Sequence, residues 1–182
     1  MTLDAVREGG HAGIAPIETE RLRIRPLTLS DADFILGLVN EPSWLRYIGD
    51  KGVRNLEDAG NYLRNGPLAM YQRLGFGLCA VEQRDGGAPM GICGLIKRDV
   101  LDDVDIGFAF LPTYAGRGYA REAAAAVLAQ GMTAFGLARV LAITSPDNER
   151  SIRLLESLGF RFERLIRLTA ESEEVRLFAY PG

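Results

Sequence analysis

Histidine is almost missing from this chain: His11 is the only one among 182 residues. That excludes a His-based catalytic triad and any histidine-rich metal site. Cysteine is nearly as scarce. Cys79 and Cys93 are the only two, both in apolar segments and neither in metal-ligand spacing. They read as small core residues of a reduced protein, with a disulfide between them left open. No apolar run approaches the ~20 residues a membrane helix needs. Residues 1–16, with Asp4, Arg7, Glu8 and several glycines, lack an apolar signal-peptide core. There is no basic excess either: 21 Lys and Arg face 24 Asp and Glu, a net charge of −3. Without a basic footprint, nucleic acid is excluded as a partner class, and the acidic surface mildly favours cationic partners. The expectation is a cytoplasmic protein, free of metal, membrane and nucleic acid. Residues 1–16 form a flexible leader and 17–182 a single domain.

What is present is regular punctuation. Arg21-Leu22-Arg23-Ile24-Arg25 alternates charged and apolar, as a half-buried strand does. Ser30 with Asp33 three residues on marks a helix start, and Phe34, Ile35, Leu38 and Val39 continue it until Pro42. Residues 43–54 read as irregular, 55–64 as a second helix, and 76–82 and 90–98 as a hairpin around Asp85-Gly86-Gly87. A strand over 105–111 precedes an alanine-rich helix over 118–135. A strand over 139–143, a helix over 148–158 capped by Gly159, and strands over 160–168 and 175–180 finish the chain. The order predicts a mixed α and β domain around one sheet.

The most informative stretch is Phe108-Ala109-Phe110-Leu111-Pro112-Thr113-Tyr114-Ala115-Gly116-Arg117-Gly118-Tyr119-Ala120-Arg121. A strand runs into a glycine turn that opens a strong helix. Free amides at a helix start make a site for phosphate, and Arg117 and Arg121 add positive charge. An ordinary tight connection is the bland alternative. Neither the dinucleotide fingerprint nor a Walker loop fits, since Arg121 stands where the fingerprint needs Gly or Ala and no Gly-Lys-Ser/Thr occurs. A phosphate-bearing ligand such as coenzyme A remains.

Gly116-Arg117-Gly118-Tyr119-Ala120 resembles the acetyl-CoA loop of the GNAT superfamily of N-acetyltransferases, usually Gln/Arg-x-x-Gly-x-Gly/Ala. Gly118 and Ala120 fill its last two places, while Ala115 departs from the first. Asn148-Glu149-Arg150-Ser151 with Leu158-Gly159-Phe160 resembles the family's Asn-x-x-Ser helix, and residues 19–27 resemble the opening strand of the RimJ/RimL-like branch. The resemblance spans residues 17–180 and implies a mostly antiparallel sheet of about seven strands with about four helices, splayed at the acetyl-CoA site. It implies acetyl transfer from acetyl-CoA, without metal, to a primary amine on a small molecule or a protein N-terminus, by a monomer or homodimer. A non-catalytic acyl-CoA sensor is the alternative.

It also implies site residues. A backbone amide near Phe110 or Leu111 would face the acetyl carbonyl, with Ala115, Gly116, Arg117, Gly118, Tyr119 and Ala120 forming the cofactor loop. Asp105 matches a strand position where related enzymes carry a catalytic Glu, and is the candidate general base. Strand alternation places it with Gly107 and Ala109, opposite Ile106, Phe108 and Phe110. A solvated strand-end aspartate beside Asp102 and Asp103 is the other reading. Leu155 occupies the place of the family's usual tyrosine acid, so Ser151 is the candidate acid, or a first-turn hydroxyl bonding backbone. Asn148 would bind the pantetheine arm or cap its helix. Trp44, Tyr47 and Asp50 would border the acceptor cleft, with core packing the alternative for the two aromatics.

Overall fold

A computed structural model describes residues 14–181. Eight strands form one sheet in the order β1-β2-β3-β4-β5-β6-β8-β7. They are β1 (Ile17–Glu18), β2 (Leu22–Pro26), β3 (Leu78–Gln83), β4 (Gly91–Ile96), β5 (Asp105–Phe110), β6 (Val140–Thr144), β7 (Arg161–Arg167) and β8 (Glu174–Tyr180). The helices are α1 (Ala32–Val39), α2 (Pro42–Tyr47), α3 (Leu56–Leu63), α4 (Ala69–Leu74), α5 (Tyr119–Thr133) and α6 (Glu149–Ser157). The mixed α+β expectation holds, with one strand and two helices more than expected among the described residues. The leader expected over 1–16, and His11 with it, lies largely outside them.

Neighbouring strands pair antiparallel throughout, except β5 and β6, which run parallel and share one registered pair, Asp105 with Leu141. Helix α5 makes the crossover that a parallel pair needs. Beyond Asp105 the two strands part. β5 stays paired with β4 along its whole length, from Asp105 opposite Ile96 to Phe110 opposite Gly91. The centre of the sheet therefore opens as a wedge between β5 and β6.

Both faces of the sheet are covered. On one, Ala123, Ala124, Val127 and Leu128 of α5 and Leu155 of α6 pack with Leu95, Ile106, Phe160 and Phe178. The α5 residues recur at one-face helical spacing, which is why an alanine-rich helix docks here. On the other, Ile35, Leu38, Trp44, Ala59 and Leu63 pack over Ala80 and Ile92. The alternation expected for β5 is observed: Ile106, Phe108 and Phe110 join the α5 cluster, and Ala109 joins the other.

Three local expectations change. Residues 43–54 are not irregular throughout, because Pro42 takes the first helical position of α2, where its missing N–H is harmless. The second helix does not end near residue 64. It passes through a wide π turn over Arg64–Leu68 into α4, the geometry that accommodates Pro67 inside a helix. The first cap is Thr28 rather than Ser30. Its hydroxyl accepts from Ser30 N, and the Asp31 carboxylate accepts from Thr28 N at 2.9 Å. Arg25 clamps that carboxylate with bonds of 2.9 and 3.0 Å, fixing the reciprocal box two residues upstream of the expected one.

Candidate active site

After β5 the chain makes a 3-10 turn over Pro112–Tyr114 and enters α5 through Gly116 and Gly118, at φ +77° and +79°. Side chains rarely adopt that conformation, so glycine is required at these two places. Gly118 caps α5 without a side-chain bond. Glu122 N is the first amide of the helix to reach a carbonyl, that of Gly118 at 3.0 Å. Among the described residues, the amides of 116–121 donate to no acceptor. Six unpaired donors thus lie at the positive end of a helix of 15 residues.

Arg21, which sequence reasoning passed over, braces the turn from outside. Its Nη1 donates to Arg117 O at 2.9 Å, its Nε meets Glu122 Oε1 at 3.1 Å, and its guanidinium lies 4.5 Å from the Tyr119 ring centroid. Arg121 ties the start of α5 to the end of α6, bonding Ser157 Oγ at 3.1 Å and Ser157 O at 3.3 Å.

The amides open into a cavity of about 1070 Å³ that follows the wedge across the sheet. Ala115, Gly116, Gly118, Tyr119 and Ala120 line one end, Asn148 and Ser151 its flank, and Trp44, Tyr47 and Asp105 the other half. Arg117 does not line it, and neither does Leu111. The Leu111 amide is in any case occupied by Met90 O at 2.9 Å. Alternation then turns the amides of Phe108 and Phe110 to the opposite edge of β5, where β6 has departed. Of the two expected donors, Phe110 keeps a free amide and Leu111 does not. Phe108 joins it.

Asp105 is fully buried, which removes the solvated-turn reading. Its Oδ2 accepts from Arg98 Nε at 3.2 Å, whereas Oδ1 has no partner. Burial pushes its pKa up, against the pull of Arg98, its own amide and Lys97. A buried carboxylate in the cavity lining, with one oxygen satisfied and the other without a partner, is chemically poised to accept a proton.

Asn148 caps α6, accepting from Ser151 N at 3.3 Å. The Ser151 hydroxyl makes no bond to protein among the described residues and is free to face the cavity. Trp44 is buried, with Nε1 donating to Gly49 O at 3.1 Å, and it also lines the cavity. The α2 segment is fastened across the wedge by Ser145 Oγ to Tyr47 O at 3.1 Å and Arg46 to Asp147 at 3.0 Å. Asp50 is instead an exposed partner of Arg54 and does not line the cavity. Lys51, Tyr62 and Arg98 do line it, and sequence reasoning missed them. Only Arg98 left a signal: the β4–β5 hairpin puts it beside Asp105. Among the described residues, no three His, Cys, Asp or Glu side chains gather to hold a metal ion, and no helix is long and apolar enough to cross a membrane.

Residues 21–161 match the family model for the acetyltransferase (GNAT) domain. The chain belongs to the GNAT acetyltransferase family. YoaA of Bacillus subtilis, described as an uncharacterized N-acetyltransferase, is 30% identical over 152 residues, covering 83% of this chain and 85% of YoaA. A GNAT-family acetyltransferase from Bacillus anthracis superposes with a TM-score of 0.74 at 27% identity, covering 91% of this chain and 97% of that one. RimL, a ribosomal L7/L12 alpha-N-protein acetyltransferase solved with coenzyme A, shares the fold with a TM-score of 0.77 at 16% identity, covering 91% and 97%. This GNAT chain is an acetyl-CoA-dependent acetyltransferase, as its family and N-acetyltransferase relatives establish.

Proposed function

We propose that the chain acetylates a primary amine by direct attack on the thioester, with the donor's diphosphate against the start of α5. The observation that supports this most is the run of unpaired amides over 116–121, of which Gly116, Gly118, Tyr119, Ala120 and Arg121 line one cavity with the half-satisfied Asp105. The residues present fit acetyl-CoA: a glycine-lined anion cradle leads into an apolar wedge with free strand amides. When bound, the donor supplies an activated acyl group.

Distances along β5 divide the roles. At about 3.3 Å per residue, the Phe108 amide lies roughly 10 Å from Asp105 and the Phe110 amide roughly 17 Å. The Phe108 N–H therefore suits the carbonyl oxygen on which negative charge develops, and the Phe110 N–H the pantetheine arm nearer the loop. Asp105 takes a proton from the acceptor's ammonium through intervening water, and the neutral amine then attacks the thioester carbonyl. Ser151 Oγ relays a proton from the nitrogen of the tetrahedral adduct to the departing thiolate, so that the hydroxyl is restored as the thiol leaves. Asn148 caps α6 and offers its side-chain amide to the pantetheine arm, while Trp44 and Tyr47 wall the acceptor. The acceptor is a protein N-terminus, the class of amine that RimL's description names, or a small amine. Residues 17–182 act as one catalytic domain in the cytoplasm, as a monomer or homodimer.

The test is thiol release from acetyl-CoA by the purified protein across a panel of amines, with thermal shift as the binding control. Amine-dependent release together with stabilisation by acetyl-CoA is expected. Stabilisation without release from any amine would overturn the catalytic reading.

A further inference from the structure

The acceptor half of the cavity holds a cationic cluster that the transfer step leaves unused. Lys51 comes from the loop after α2, Tyr62 from α3 and Arg98 from the turn after β4, and all three line the cavity beside Asp105. Lys51 is exposed and makes no ion pair with the described residues. Arg98 gives only its Nε to Asp105, at 3.2 Å, so both terminal nitrogens keep their donors. The Tyr62 hydroxyl makes no hydrogen bond to the described residues. Glu41 and Asp147 are further charged groups of the lining near α2, and Asp147 is paired with Arg46 at 3.0 Å. The surrounding protein and then the nearby Arg98 depress the Lys51 pKa, and no carboxylate stands close enough to offset them. Two cations and a hydroxyl donor, drawn from three separate segments, converge on open space with one carboxylate among them that is only half engaged. The whole chain carries a net charge of −3, so this is a local inversion and not a general basic surface.

We infer that the acceptor carries an anionic group, a carboxylate or a phosphate, several bonds from its amine, and that Lys51, Tyr62 and Arg98 bind it. This deepens the acetyl-transfer reading and rests on it. The anion sits beside Asp105, while the amine points along β5 toward the Phe108 amide roughly 10 Å away. The acceptor is therefore an extended amino acid, peptide or amino phosphate, with its charge at the end remote from the amine. Arg and Lys together suit either anion, Arg by its fork and Lys as a point charge.

The experiment uses primary alkylamines of two to six carbons ended by methyl, carboxylate or phosphate. It measures kcat/KM by thiol release for the wild type, Lys51→Met, Lys51→Glu and Tyr62→Phe. Each variant is first shown to keep its stabilisation by acetyl-CoA. The wild type should favour an anionic amine over its methyl-ended analogue by about tenfold or more. Lys51→Met should shrink that ratio about tenfold, chiefly through KM, and Lys51→Glu should bring it to one or below. Comparing carboxylate with phosphate identifies the anion source. A wild-type ratio near one, or a ratio that Lys51→Met and Lys51→Glu leave unchanged, overturns the inference alone. Release from none of the amines overturns it together with the acetyl-transfer reading.

Discussion

Replacing Asp105 by Asn tests the proton-transfer role, and the structure sets the size of the effect. Asn keeps the volume of a fully buried side chain and still accepts the bond from Arg98 Nε, so the fold and the donor end of the cavity are expected to survive. What disappears is, among the described residues, the only fully buried carboxylate that lines the cleft. An amine with a pKa near ~10.4 is neutral in only about one molecule in 2500 at pH 7, whereas one near ~8 is neutral in about one in ten. General-base help is worth about 10²–10⁴-fold. The expected loss in kcat/KM at pH 7 is about 10²-fold or more for the lysine-like amine, shrinking toward tenfold for the weaker base. Raising the pH should restore the rate, because the amine then sheds its proton unaided. Thiol release followed from pH 6 to 9.5 with both amines gives the answer. A variant with wild-type kcat/KM at pH 7, or one with the same deficit at pH 7 and pH 9.5, would refute the assignment.

Further outcomes follow from other parts of the molecule. Burial raises the Asp105 pKa above its ordinary 3.8, so the folded state holds that proton more tightly than the unfolded chain. Stability should accordingly be fullest below pH 3.8 for this group and decline as pH rises through its raised pKa, a slope that Asp105→Asn removes from denaturant midpoints measured against pH. Gly118→Val places a branched side chain at φ +79°, with its Cβ 3.4 Å from Arg21 Nη2; thermal stabilisation by acetyl-CoA should vanish, and retained stabilisation would contradict the phosphate cradle. Ser151→Ala should lower kcat roughly tenfold with little change in donor KM, since a thiolate with a pKa near ~8.5 leaves well without much help. Leu155→Ala empties a site with 1% exposure in the main core and should cost about 2–5 kcal/mol by chemical denaturation, with less than about 1 counting against the packing described.

Much of the frame was legible because periodicity and punctuation agreed. The alanine-rich run became α5 within about a turn at each end, and Gly159 took the left-handed conformation its place required, at φ +98°. The region between β2 and β3 was less legible. Pro42 read as a stop, yet it starts a helix, and the helix expected to end near residue 64 runs on through a π turn that holds Pro67. Both outcomes depend on packing over Ala80 and Ile92, which no local pattern reveals. The glycine loop was readable because its chemistry is local and lies in the backbone. The Lys51, Tyr62 and Arg98 cluster was not, since it joins segments up to 47 positions apart that the sheet alone brings together. The choice between Phe110 and Leu111 turned on hydrogen-bond direction, which a sequence leaves open until register is known.

The central claim is that the amides of residues 116–121 hold the donor's diphosphate. A crystal structure of the chain with acetyl-CoA measures it most directly. The account predicts phosphate oxygens within hydrogen-bond distance of several of those amides, with the acyl carbon in the wedge beside Phe108. A diphosphate lying elsewhere, with those amides facing water, would contradict it.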